Sequence, residues 1–328
     1  MNEWDETKLD KELEILLDDI PPQDDLEKKI EQSIKKRVRK LVLRTIAVFV
    51  AIAAALFLLI NPFLNAVFLN PYELNKEPEK KMFHVFRDYW ETTTPYTEIA
   101  SLDVTKRGFA RYDLQIQAAD HKKPIIYGSP NVELELKFGK YTVKMDPDMS
   151  LMHMFGRFND TWTDKETLLN DIKGLPVSSN LYLSIGAKTP ETVENLRKSG
   201  VHLEWIQIYQ PNVQFQGGLS MWMSAAYDDS DYRDEMTDSE LKEVYLSNLK
   251  NLLDNEQIWR DFGLFDSHRD YTDTKHVLEE TYTDAKNLEK LESKYYCISG
   301  NRDDIIAYLE DTETISILID EVKLSKWN

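Results

Sequence analysis

Six histidines and one cysteine are the side chains in this 328-residue chain best suited to metal, acid–base or nucleophilic chemistry. The histidines are His84, His121, His153, His202, His268 and His276. A helical zinc site needs two histidines on one face, as in HExxH, and no pair here has that spacing or an HxH spacing. His268 and His276 are eight apart with Asp270 and Asp273 between them, which suits a solvated acidic turn better than a metal site. His84 falls within an aromatic helical stretch and reads as structural. Cys297 has no second cysteine to pair with and cannot build a Cys-rich metal site. It reads as a small buried hydrophobe in a strand. The GxSxG elbow, the P-loop and GxGxxG are absent, and Gly217–Gly218 reads as a turn or bulge. The acidic run at 228–240 lacks the glycine of a calcium loop. The expectation is therefore no catalytic, cofactor or metal residues, and a protein that binds rather than an enzyme.

Charge, not chemistry, is the informative pattern. Asp and Glu outnumber Lys and Arg by 58 to 40, a net charge of −18, which argues against direct nucleic-acid binding. Residues 1–34 hold 12 acidic and 4 basic side chains. Lys35, Lys36, Arg37, Arg39, Lys40 and Arg44 follow without an acid among them. Thr45 to Leu69 is then 25 residues without a charge. As a helix that run would be about 37 Å long, enough to cross a hydrocarbon core of about 30 Å. The apolar core is expected over 43–65, with Phe63, Phe68 and Tyr72 at the interface. A cleaved signal peptide fits poorly, because more than 40 residues precede the run. The basic collar before the span outweighs Lys76, Lys80 and Lys81 after it, so the positive-inside rule puts the N-terminus in the cytoplasm. The expected location is a cell membrane, crossed once, with 259 residues outside.

The cytoplasmic stretch, 1–42, is too short to bury a core of its own. It carries an amphipathic stripe of Leu9, Leu13, Leu16, Leu17 and Ile20, with Asp10, Glu12, Glu14, Asp18 and Asp19 opposite. Pro21 and Pro22 stop that helix. A second follows with Leu26, Ile30, Ile34, Val38 and Leu41 on one side, and it is expected to run straight into the span. A stripe without a core fits a partner's groove, and its acidic face suits a basic partner. A weak hairpin of the two helices and a disordered segment are the alternatives.

Two further regions are expected outside, 70–175 and 176–328, with a soft boundary at Gly174–Ser179. In the first, MFHVFRDYW (82–90) is a strongly apolar helix face, and strands are expected near 110–118, 131–138 and 140–145. Thr163 and Glu166 suggest a capping box. In the second, NLYLSIGAK is a strand, and Thr189 with Pro190 opens a helix that Gly200 ends. VHLEWIQIYQ is a strand, and Thr237 with Glu240 caps a helix through Leu241, Val244, Tyr245, Leu249 and Leu252. Another helical stretch covers 273–291, followed by a strand SKYYCIS, a helix 301–310 and a strand TISILIDEVKL. Trp162, Trp205, Trp222 and Trp259 are expected in the core. The fold class is α+β behind one transmembrane helix and a short helical segment. The element order in the C-terminal half predicts a split βαβ, ferredoxin-like sandwich.

This layout resembles the sigma-factor-regulator family, membrane anti-sigma factors of Gram-positive bacteria with paired N- and C-terminal regulator domains. The resemblance rests on the short segment before one span, on the MFHVFRDYW face just beyond it, and on NLYLSIGAKTPETVENLRKSGVHLEWIQIYQP (180–211). That last stretch is similar to the opening of the family's C-terminal domain. The resemblance implies sequestration of an extracytoplasmic-function sigma factor, a second membrane protein as co-regulator, and release during envelope stress. Many anti-sigma factors bind through a zinc HxxxCxxC segment, but no Cys or His precedes His84 here, so a sigma-binding segment in this chain would be zinc-free. Two other classes stay open: an exterior enzyme or ligand-binding protein with a purely topogenic tail, and a structural envelope protein.

Overall fold

The computed structural model describes residues 23–120, 122, 131–145, 164–221, 233, 235–265 and 273–324. The chain divides into two compact units, Met1–Phe63 and Leu64–Asn328.

Helix α1, Gln23–Val67, runs 45 residues from the charged block through the basic collar and the apolar run without a break, as the sequence predicts. Leu, Ala, Phe and Ile dominate its apolar part, and Pro62, in the last two turns, gives up its one i→i−4 bond there. None of its most apolar window is buried by protein, so it is a candidate membrane span by length and composition.

The second unit is mixed α+β. After the short α2 (Pro71–Leu74), helix α3 (Lys81–Thr93) buries Met82, Phe83, Val85, Phe86, Tyr89 and Trp90. It stops at Thr94, whose extended backbone is the conformation that Pro95 imposes on its predecessor. Strands β1 (Thr97–Lys106), β2 (Arg111–Asp120), β3 (Asn131–Lys137) and β4 (Lys140–Met145) form an antiparallel meander in that order. The sequence reading omits β1. Its alternation breaks at a register shift between Ile99 and Ser101, which disguises the period-two pattern.

Helix α4 (Lys165–Lys173) is capped by Asp164, which accepts from Thr167 N at 3.1 Å. The cap is thus one residue later than the predicted Thr163, which lies outside the described residues, as do Trp162 and Trp222. Strand β5 (Ser179–Thr192) overruns the predicted helix start at Thr189–Pro190. Pro190 falls where β5 skips register against its neighbour between Gly186 and Glu191, so its missing N–H costs no ladder bond there. Helix α5 is only Val193–Arg197, capped by Thr192. The chain continues through β6 (His202–Gln207), β7 (Gly218–Ser220), α6 (Asp238–Asp254), α7 (Glu256–Asp261), α8 (Thr274–Lys286), β8 (Glu292–Asn301), α9 (Arg302–Asp311) and β9 (Thr314–Leu324). The predicted Thr237–Glu240 capping box is present on α6, and Asn301 caps α9. The second sheet has the order β7-β6-β8-β5-β9 with every neighbour antiparallel. Between β5 and β6 lies β8, and between β8 and β9 lies β5, so two strand–helix–strand units interleave. Leu181, Leu183 and Ile185 alternate into the core, and α9 packs on β5 and β8. Helix α3 contacts both β1 and α6, so one hydrophobic core draws on both sides of residue 175.

Candidate functional site

The partner-binding residues read from sequence, Leu9, Leu13, Leu16, Leu17 and Ile20, lie outside the described residues. Their continuation on α1 does not. Ile30, Ile34 and Val38 are 53%, 56% and 54% exposed, an apolar line that none of the described residues covers. Lys35, Lys36, Arg37, Arg39, Lys40 and Arg44 are exposed on the same helix. Helical rise places these six within about 14 Å along the axis. Lys35 pairs with Glu31 at 2.6 Å, an exposed i,i+4 pair.

A second constellation lies on the face of the β5–β9 sheet opposite Leu181, Leu183 and Ile185. Tyr182 and Ser184 alternate onto that face of β5, as Cys297 and Ser299 do on β8. The Ser184 hydroxyl donates to Asp320 Oδ2 at 2.6 Å and lies 3.4 Å from Cys297 Sγ. Tyr96, buried beside Cys297 and Trp205, donates its hydroxyl to Leu183 O at 2.9 Å, and Lys122 Nζ stands 4.7 Å above its ring. Ser299 donates to Glu204. Trp205 Nε1 donates to Glu91 O at 2.9 Å, tying this face to the end of α3, where the Glu91 carboxylate pairs with Arg233. Arg233 also donates to Ser220 O at 2.7 Å.

Burial sets the electrostatics here. It pushes the Cys297 thiol well above its ordinary range, helped by the nearby Asp320 carboxylate, which favours the protonated thiol over the thiolate. The Tyr96 phenol is raised for the same leading reason. An activated serine needs a base that is itself oriented by a third group. Among the described residues no histidine joins these hydrogen bonds. His84 is half-buried edge-on to Phe83, with burial and then Arg87 and Lys80 depressing its pKa, and His276 makes an exposed pair with Glu280. Among the described residues no group of three metal-ligating side chains converges. A groove of about 270 Å³ lined by Glu73, Lys76, Glu77, Glu79 and Lys81 is charged and open, unlike an enclosed apolar ligand site.

No protein-family model matches this chain, and neither a curated protein nor a solved structure matches it.

The sequence reading missed the Tyr96–Ser184–Asp320 cluster because its members are far apart in the chain. A signal was present in NLYLSIG, where one face carries leucine and isoleucine and the other carries Tyr182, Ser184 and Gly186. Gly217 and Gly218, read as a turn or bulge, instead permit close approach. A Cβ on Gly218 would lie 1.9 Å from Trp205 Cζ2, and one on Gly217 would lie 2.9 Å from Tyr245 Oη.

Proposed function

We propose that this protein is a membrane-anchored anti-sigma factor. It holds an extracytoplasmic-function sigma factor through its cytoplasmic N-terminal segment, and its exterior unit receives an envelope signal or a membrane co-regulator. The observation that carries this reading is the exposed apolar line Ile30–Ile34–Val38, continuous in one helix with the candidate span. A topogenic tail has no need of such a line, whereas a helix-in-groove docking segment consists of one. The resemblance of residues 180–211 supplies the identity of the partner. The interleaved strand–helix–strand pairs support a split βαβ reading of the C-terminal half. The basic collar supports an N-terminus in the cytoplasm.

Sequestration works by competition, since a sigma surface covered by the stripe cannot meet polymerase. Nanomolar capture needs about 12 kcal/mol net. Each fully buried leucine contributes about 1.5–3 kcal/mol, so most of the stripe must be covered. The test is capture of each host extracytoplasmic-function sigma factor by the full chain in detergent, beside a Leu13→Ala, Leu16→Ala variant. Saturable capture of one sigma factor, lost in the variant, is the expected result. Capture of none overturns the reading and points to the exterior unit.

A further inference from the structure

The ends of two hairpins in the second unit carry aromatic and basic side chains, and both touch the chain where α1 ends. Asn65, two residues past the end of the first unit, accepts through Oδ1 from Ala110 N at 3.2 Å and from Tyr112 Oη at 2.9 Å. Phe68 packs edge-on against Phe138, with ring centroids 5.7 Å apart. Ala110 belongs to the β1–β2 turn and Phe138 to the β3–β4 turn. Both turns are thus fixed beside the last turn of α1 and Phe68, which follows it.

Their composition is unlike the rest of the unit. Phe109 and Phe138 are 38% and 40% exposed, although each occupies a loop tip where a polar residue is usual. Both sit at positive φ, +53° and +49°, as does Ala110 at +50°. Phe138 and Gly139 form a two-residue turn of the kind that favours Asn-Gly, so a phenylalanine there costs stability without filling a core. Lys106, Arg107 and Arg111 lie at the β1–β2 turn and Lys137 and Lys140 flank the β3–β4 turn, with Lys137 Nζ 6.0 Å from the Phe138 ring centroid. Glu73, Asp113 and Glu135 pair with Lys106, Arg107 and Arg111, which leaves the edge net positive. Residues 70–328 as a whole carry a net −16. Fields in saline fade within about 10 Å, so the charge of the nearest edge governs approach to a lipid surface. An acidic domain held at an anionic membrane is repelled unless the edge that faces it is basic.

We propose that the two hairpin tips are a membrane-contact site, with Phe109 and Phe138 inserted at the headgroup level of the outer leaflet. Lys137 and Lys140 meet lipid phosphates. Phe68, packed on Phe138, adds a third aromatic ring of the kind found at membrane interfaces. The proposal rests on the reading of α1 as a membrane span. Its consequence is that the exterior unit is held against the bilayer at three places, the chain itself and two tips, instead of swinging on a single linker.

The test uses the full chain reconstituted in mixed phosphatidylcholine–phosphatidylglycerol vesicles. An environment-sensitive fluorophore is placed on Phe138→Cys, Phe109→Cys, Leu58→Cys or Val177→Cys, one at a time. The native Cys297 is buried and stays unlabelled in the folded protein. Leu58, 69% exposed in the apolar run, reports on the span, and Val177, 63% exposed, reports on a surface away from the tips' sequence. Quenching of both tip probes by nitroxide at the lipid headgroup, with iodide quenching several-fold weaker than at Val177, is expected. Tip probes as open to iodide as Val177, while the Leu58 probe is quenched by nitroxide deep in the acyl chains, would overturn this proposal and leave the span intact. A Leu58 probe that deep nitroxide does not reach would overturn both. Adding Lys137→Glu and Lys140→Glu to the Phe109→Cys protein should restore iodide access. Unchanged shielding there would overturn the phosphate contact.

Discussion

Asp88 shows how one residue couples packing to solution conditions. It is almost fully buried on α3, ion-paired to Arg87 at 2.6 Å and accepting from Asn251 Nδ2 at 2.7 Å. Burial nonetheless dominates and raises its pKa from 3.8 to about 6. Below pH 3.8 both states are protonated, and between there and about 6 the folded state holds the extra proton. Stability from this group is therefore full in acid and is lost as pH rises through about 6, a swing of about 3 kcal/mol. Urea unfolding of the full chain in detergent should show that downward component, and Asp88→Asn should remove it. A variant with the wild-type pH slope would assign the titration elsewhere. Gly218 makes a purely spatial demand, since its φ is ordinary and a side chain there would run into the Trp205 ring and the Ile206 carbonyl oxygen. Gly218→Ala should cost about 1–3 kcal/mol through overpacking, read as a lower urea midpoint. It should also shift the emission of Trp205 as its bond to Glu91 O is strained.

Elements differ in how openly the sequence announces them. The β3–β4 turn supplies a test in which stability and function move apart. Asn is at home at positive φ and Phe is not, so Phe138→Asn should stabilise the fold by about 0.5–1 kcal/mol while removing the aromatic contact proposed with the membrane. Thermal unfolding and vesicle binding measured on the same protein check both halves. Loss of stability would mean that the Phe68–Phe138 contact matters more to the fold than the turn does. Helices α3 and α6 were legible because their apolar positions follow the helical period and their burial repeats it. Strand β1 was hidden by its register shift, and β7 by having only three residues. The end of β5 was misread because Thr-Pro at 189–190 is a good local helix start, yet Lys188 N donates to Glu313 O and pairing with β8 resumes at Glu191 and Thr192, which keeps the chain extended. The basic collar and the apolar run on α1 were legible from composition alone. The polar face around Tyr96, Ser184 and Asp320 was not, since only the tertiary fold brings residues so far apart in sequence together.

At the scale of the whole molecule, everything proposed depends on which side of the membrane each unit occupies. The bases on the two flanks are unequal, with six in the collar against Lys76, Lys80 and Lys81 beyond the span. Orientation follows the flank that is harder to translocate. Replacing Lys35, Lys36, Arg37, Arg39, Lys40 and Arg44 by glutamine leaves Lys28 and Lys29 as the nearest bases before the apolar run, farther from it than Lys76, Lys80 and Lys81 are on the other side, so the retained flank becomes the other one. A substantial inverted fraction is expected, read as second-unit fragments protected from protease added to intact protoplasts. Wild-type digestion should remove that unit from outside. The variant's capture of a sigma factor in cells should fall in step with the inverted fraction, because a stripe on the wrong side of the bilayer meets no polymerase. Capture in detergent should stay intact, since the stripe itself is unaltered. If inversion occurred while capture in cells persisted, the stripe could not be the holding site. If no inversion occurred, the collar would serve the partner or the lipid headgroups and not the orientation.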